Sequence, residues 1–545
     1  MWEKDQTDRR TVWNSALRYS ASALGILFIV LYVVLVLFRI RYPFELEWME
    51  GGSVDHVCRI LAGEKLYVSP SLEFVPFIYP PLYYYISALA WLLTGGGFLP
   101  LRLVSFVASL GCFVVIFQFV KREARSTFSG ILAASLFAAT FRISGAWFDL
   151  ARVDSLFLLF LLLGFYFVRF KKSWKSYVIA GLFIGLSFLT KQAAFVIAIP
   201  IIVYCILLNW RASIAFVGTV VLIIGISTIA LDYIHDGWYS YYVFALPSQH
   251  PLIARMFVNF WTKDLIAPLA IACVMSMFYM FSQVLSSTKE GQHFDLFRNA
   301  IPDEAPRSGA DAYAARLNGF FYLFMAVGMI GGAWLSRLHS GGYANVLFPA
   351  YAVICILFGM GTHRILERIQ VASIHERKFV EAFVYLVCIM QFAGLAYNPH
   401  WLIPTEKDLE AGREFVKTMA EMKGEVFVPF HAYLPTLAGK SSHAQGMAVA
   451  DVLRGDRGQV GTKFRDDIRE AIREKRFAAM ILDESFFVWF LHDVFPQLRE
   501  DIEENYVRQE SIFDSDSVFW PVTGGRTRPE FVYVPRSRDF YKWPK

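Results

Sequence analysis

Three glutamates, Glu45, Glu47 and Glu50, stand close together in the stretch FELEWMEGGSVDHVCRILAGEKLY (Phe44–Tyr67). Carboxylates are a residue type that takes a proton from a hydroxyl. Carboxylates this close also repel, which lifts one of their pKa values toward a useful range. The plain alternative is a solvated acidic loop. Side chains able to answer a negative charge lie far along the chain. They are Lys191, Arg152 (two residues before Asp154), Arg337 and His339, with Tyr343 and Asn345 just after Gly341–Gly342. Each has a bland reading beside the chemical one: a snorkelling lysine, an ion pair that holds a turn, an interfacial histidine. Charge at the mouth of an apolar run is costly unless paired or functional. The glycine pair favours a ligand, because it lets backbone approach one closely.

The elements that must position these residues are membrane spans. The chain has 545 residues, 56% hydrophobic and only 18% charged, with basic residues in short clusters between long apolar runs. That pattern marks a polytopic α-helical membrane protein. The net charge of +5 comes without an extended basic tract, so no nucleic-acid partner is expected. The first run, Ala21–Phe38, has no small-residue cleavage site behind it and reads as a signal anchor. Spans are expected near 20–39, 101–120, 127–146, 153–169, 176–190, 192–208, 212–232, 264–285, 316–335, 343–361 and 379–397.

The segment YPPLYYYISALAWLLTG (Tyr79–Gly95) either spans or lies along the interface. Charge decides. If it does not span, Lys121–Arg125, Val168–Lys175, Arg9, Arg10, Arg18, Arg211 and the basic stretch Thr362–Lys378 all fall inside, as the positive-inside rule prefers. Its Tyr and Trp content also suits an interface. About eleven spans follow, with the N-terminus inside. The loops 40–100, 233–263 and 336–343, the turns near 147–153 and 190–192, and everything past about 398 then share the outer face.

After Gly51–Gly52 a short amphipathic helix is expected, with Asp55 and Arg59 paired across one turn. The tail 399–545 is different material, charged and alternating. DLEAGREFVKTMAEMKG and FRDDIREAIREKR read as helices, EVFVP and FAAMILDE as buried strands. The expected organisation is a membrane domain over 1–398 and a soluble α/β domain over 399–545. The segment 286–314 reads as an inner loop. Six scattered cysteines read as apolar filler. His431 and His443 have no companions at metal-ligand spacing, and no metal site is assigned.

The order of an acid before glycine, an amphipathic helix, GEKLY, YPPLYYY and an Arg-led span (PLRLVS, Arg102) resembles the GT-C glycosyltransferases. The likeness is to the bacterial branch of protein O-mannosyltransferases and aminoarabinose transferases. It continues through ARVDSLFLLFLLLG (Ala151–Gly164), SFLTKQAAF (Ser187–Phe195) and RLHSGGYANVLFPAYA (Arg337–Ala352), covering about 1–360. The resemblance implies transfer of a sugar from a polyprenyl-phosphate carrier to a lipid, glycan or protein acceptor on the outer face. The first outer loop would supply the catalytic acid, here Glu50 first and Glu47 second, where many relatives show Asp. Lys191, Arg337 and His339 would hold the carrier phosphate, Arg152 and Asp154 would shape the site, and Tyr79, Tyr343 and Asn345 would line it.

Cations fit that role, since the leaving phosphate gains negative charge in the transition state. Some GT-C enzymes use a divalent metal and others do not; the Glu47/Glu50 loop is where one would bind. A bacterial inner-membrane hexosyl- or pentosyltransferase with a periplasmic tail is the expectation, working among membrane lipids. The rivals are a lipid or glycan transporter or flippase, which predicts mid-span charge and internal symmetry, and an inactive GT-C-like binding subunit.

Overall fold

The computed structural model describes residues 2–171, 173–288, 317, 319–371, 373–513 and 515–536. The apolar runs become helices in chain order: α1 (Trp2–Arg39), α2 (Glu50–Leu61), α3 (Leu82–Thr94), α4 (Phe98–Ala124), α5 (Thr127–Ala139), α6 (Asp154–Phe170), α7 (Trp174–Thr190) and α8 (Ala193–Ile234). Helices Ala267–Thr288, Phe321–Leu338, Phe348–Arg368 and Ile374–Ala393 follow. Every expected span overlaps one of these or one half of α8. That helix bends at Asn209, whose backbone (φ −160°, ψ 92°) is not helical.

Among the described residues, six helices are long and apolar enough to cross a membrane by length and composition. Leu222, Ile226 and Ile229 on α8 stay exposed, and such an apolar face suits a hydrocarbon surrounding. The chain is an integral membrane protein. The ambiguous segment forms α3, only 13 residues. At 1.5 Å per residue it reaches about 20 Å, short of a bilayer core of roughly 30 Å.

The amphipathic helix after the glutamates is α2, but the expected Asp55–Arg59 pair does not form. Left-handed Gly63 (φ 72°) turns the chain back, so Arg59 meets Glu64 at 2.7 Å and stacks on Phe74 at 4.2 Å. Asp55 is on the buried face instead. Nearly all of the expected inner loop 286–314 lies outside the described residues. Gly181 and Gly185 on α7 do mark a packing face. A Cβ at either would press into Phe216, Thr219 or Ile223 of α8.

The tail forms a four-stranded sheet, β1 (Val426–Phe427), β2 (Ala479–Leu482), β3 (Tyr506–Ser511) and β4 (Phe531–Pro535), in the order β1-β2-β4-β3. β1 and β2 are parallel; the other pairs are antiparallel. Helices Glu406–Glu421 and Gln459–Arg473 arise where the sequence pattern places them. Helix Gly446–Gly455 is an addition.

The apolar core of the tail is not closed on itself. Phe430, Met447, Phe486 and Phe490 share one buried cluster with Trp48, Val54 and Val57. Phe44 joins Phe415 and Met419 in another. Segment 44–52 is therefore held between the helical bundle and the tail.

Candidate functional site

Helix ends concentrate the charged residues. Glu50 opens α2, Asp154 opens α6, and Lys191 caps the C-terminus of α7. Acids at helix starts and cations at helix ends complement the helix dipole. The sequence therefore places opposite charges where several helices end together.

Glu50 is fully engaged. Its Oε1 accepts from Arg102 Nε (2.9 Å) and the Ala151 amide (2.8 Å), its Oε2 from Arg102 Nη2 (2.6 Å) and the Leu46 amide (2.7 Å). Both side chains are fully buried. Arg102 also donates to the carbonyls of Tyr42 and Phe44, at 2.7 Å each, and lies over the Phe98 ring. Burial alone would raise the Glu50 pKa. The guanidinium and the two amides overcome this and hold it below the usual value. A bidentate pair of this kind fixes the loop. It also leaves Glu50 no free lone pair to share with Glu47, so the two do not fit a bridging metal.

Glu47 is placed differently. Its Oε2 accepts from Arg152 Nη1 (2.9 Å) and the Met49 amide (3.3 Å), while Oε1 accepts no hydrogen bond from the described residues. Burial raises its pKa and the charge of Glu50 adds to this, against the pull of Arg152. Arg152 lies over Trp147 (4.6 Å) and reaches Asp154 at 3.5 Å. Asp154 Oδ1 accepts from Lys191 Nζ (2.6 Å) and Asn345 Nδ2 (3.0 Å). Lys191 Nζ sits 5.8 Å from the rings of Tyr79 and Phe157.

Glu47, Arg152, Asp154, Lys191 and Asn345 thus form one buried cluster, with half-buried Tyr79 beside it. Asn345 Oδ1 of this cluster and Nε1 of the neighbouring Trp147 are buried without a hydrogen-bond partner among the described residues. Orphaned groups of this kind call for an explanation, and a ligand is one.

Arg337 and His339 do not join it. Arg337 binds Asp264 at 2.8 Å and the Gly342 carbonyl, and His339 bridges to Leu252. Tyr343 is 43% exposed and lies within electrostatic reach of Arg454, Asp451 and Glu47. The sequence reading missed Asp451 and Arg454. Both lie on helix Gly446–Gly455, where Arg454 bonds Asp451 (2.8 Å) and Ser340 Oγ (2.9 Å), and so covers the 339–343 turn. It also missed Trp147 and the pairing of Arg102. An arginine inside an apolar run is a readable signal; its partner is not.

A family model described as dolichyl-phosphate-mannose-protein mannosyltransferase matches residues 79–231. Among solved structures, the chain is similar to ArnT from Cupriavidus metallidurans bound to undecaprenyl phosphate. The TM-score is 0.53 at 11% identity, over 94% of this chain and 97% of that one. The apo state of the same ArnT matches with a TM-score of 0.53 at 13% identity, over 95% and 98%. The chain carries the GT-C fold. No curated protein matches the sequence significantly. Within the GT-C fold found here, the buried cluster lies where the loop between α1 and α4 meets the ends of α6 and α7.

Proposed function

We propose that this chain is a GT-C glycosyltransferase. It moves a sugar from a polyprenyl-phosphate carrier to an acceptor hydroxyl, on a lipid, glycan or protein, at the outer face of a bacterial inner membrane. The observation that carries the reading is the cluster Glu47–Arg152–Asp154–Lys191–Asn345, in a fold whose solved example is described as bound to undecaprenyl phosphate.

Glu47 rather than Glu50 is the base, because its Oε1 is unengaged whereas Glu50 is saturated by Arg102 and two amides. The acceptor oxygen bonds to the anomeric carbon as the bond to the carrier phosphate breaks. The acceptor proton goes to Glu47 and the electron pair to the phosphate. Lys191 and Arg152 lie in the cluster as the cations that answer the new charge; Asp154 holds Lys191 in place, and Asn345 braces Asp154. Arg337 has a structural role, braced on Asp264.

Lys191→Ala is expected to slow transfer by an amount worth about 2–4 kcal/mol, by analogy with the loss of one preorganised donor. Steady-state rates with a labelled polyprenyl-phosphate sugar in proteoliposomes check this. An unchanged rate places the carrier phosphate elsewhere.

Orientation has its own test. A cysteine replacing Lys171 is expected to be protected from an impermeant maleimide in intact cells, and one replacing Asn398 to be labelled. The reverse pattern would put the cluster on the cytoplasmic face.

A further inference from the structure

The sequence gives His431 no companions, and the proposed reaction does not use it. In the fold it is 3% exposed, with both ring nitrogens bonded to carboxylates. Nδ1 meets Glu45 of segment 44–52, and Nε2 meets Asp483 at 3.0 Å. His431 follows β1 and Asp483 directly follows β2, so both stand past the C-terminal ends of the two parallel strands. Among the described residues, His431 is the only hydrogen-bond partner of either carboxylate's side chain. The second oxygens, Glu45 Oε1 and Asp483 Oδ2, are buried without one. Burial disfavours an imidazolium, but the two acids more than offset this and raise the His431 pKa. One imidazole therefore bridges two buried acids from opposite sides of an interface.

Around this bridge the tail grips segment 44–52 nearly residue by residue. Phe44 meets Phe519 edge-on at 5.2 Å. The Thr523 amide donates to the Leu46 carbonyl (3.2 Å). Gly524 lies so close to Glu47 that a Cβ there would come within 2.6 Å of its Cγ. Gln445 Nε2 donates to the Trp48 carbonyl (3.3 Å), and Trp48 packs on Phe430 at 4.9 Å. At Gly51 a Cβ would overlap Glu45 Oε1 and come within 2.9 Å of Tyr433 Cβ. Glu47 sits between two anchors on the same short segment. Glu50, three residues later, is locked by Arg102 from the bundle. Glu45, two residues earlier, is locked by His431 from the tail. With one anchor gone, the turn carrying Glu47 can pivot on the other.

We propose that His431 is a positioning residue for Glu47: held between Asp483 and Glu45, it fixes the loop so that the Glu47 carboxylate faces Arg152 and the reacting hydroxyl. This rests on the glycosyltransferase reading above and adds to it that the tail completes the site, beyond any part in choosing the acceptor. His431 touches no reacting atom, so its effect must pass through Glu45.

The test is a cycle of His431→Ala, Glu45→Ala and the double variant of the full-length protein in proteoliposomes, read by steady-state transfer from a labelled polyprenyl-phosphate sugar. The expected result is a fall in kcat of more than about tenfold for each single variant, at unchanged donor KM. The double variant is expected to be no worse than the poorer single one, as for residues acting as a unit. Glu45→Ala leaves His431 paired with Asp483, so it stays assayable where His431→Ala strands the buried Asp483 and fails to fold. An unchanged kcat, or losses that multiply in the double variant, overturns the proposal.

Amide hydrogen exchange of Leu46, Met49 and Glu50 is followed in the same proteins without substrate. Faster exchange at these three in His431→Ala, with the rest of the bundle as in the parent, is expected; exchange equal to the parent overturns the proposal. Failure of the parent to transfer sugar would sink the glycosyltransferase reading alone, because the exchange arm needs no turnover.

Discussion

Glu47→Gln is expected to lower transfer by about 10²–10⁴-fold while polyprenyl-phosphate binding persists. The substitution keeps the size that Gly524 packs against and an oxygen that can still accept from Arg152 Nη1. It removes the capacity to take a proton, and with it the charge that faces Arg152. Initial rates with saturating acceptor, alongside retention of the lipid during purification, separate the two effects. Parent-like rates would take the base role from Glu47. A dead but normally stable Glu50→Gln variant would give that role to Glu50.

The pH profile offers a second reading of the same group. The base works deprotonated, so activity is lost as pH falls through the Glu47 pKa. Burial and the charge of Glu50 raise that pKa, against the pull of Arg152. The acid limb is therefore expected above the pH of an ordinary glutamate.

Arg102→Leu is expected to destabilise the fold by about 3–5 kcal/mol, the usual consequence of leaving one member of a buried ion pair unpaired. Glu50 would keep its two amides but lose its counter-charge, and the carbonyls of Tyr42 and Phe44 would lose their donor. Arg102→Lys keeps the charge without the planar fork that serves three groups at once, and is expected to fall between. Thermal unfolding in detergent, followed by tryptophan fluorescence, checks the order parent, Lys variant, Leu variant. An Arg102→Leu protein that melts with the parent would mean that the pair does not hold the loop. Such a result would also weaken the assignment of Glu50 to structure rather than chemistry.

What the sequence makes legible here is what acts locally. Hydropathy over some twenty residues finds each apolar helix but not its length: the expected span 127–146 becomes α5, 13 residues like α3, while the break at Asn209 falls between two runs that read separately. The charge of the flanking loops, with its Tyr and Trp content, is what keeps Tyr79–Gly95 out of the expected span count. The glutamates, Arg152, Asp154 and Lys191 are visible because charge beside an apolar run is costly and therefore informative.

Partnership is not visible. Nothing near Glu50 says that Arg102 will saturate it, and nothing near Glu47 says that its second oxygen stays free. The expected Asp55–Arg59 pair fails for the same reason: the rule for neighbours on one helix face does not see the turn at Gly63 or the tail packed on Asp55. His431, Asp483, Asp451 and Arg454 lie in a region whose pattern announces only an α/β sheet. Their relation to the first loop exists only once the chain has folded.

The distance along the chain between Glu45 and His431 has a consequence for how the protein is made. The two are 386 residues apart, so the loop leaves the ribosome long before its clamp. During that interval Arg102 can hold Glu50, but Glu45 has no counter-charge and Gly51 no cover. A half-made chain inserted in the bilayer thus has its helices without a finished centre. The Glu45–His431 bridge forms only once the tail has been made, and a chain cut short before it lacks that hold on the first loop.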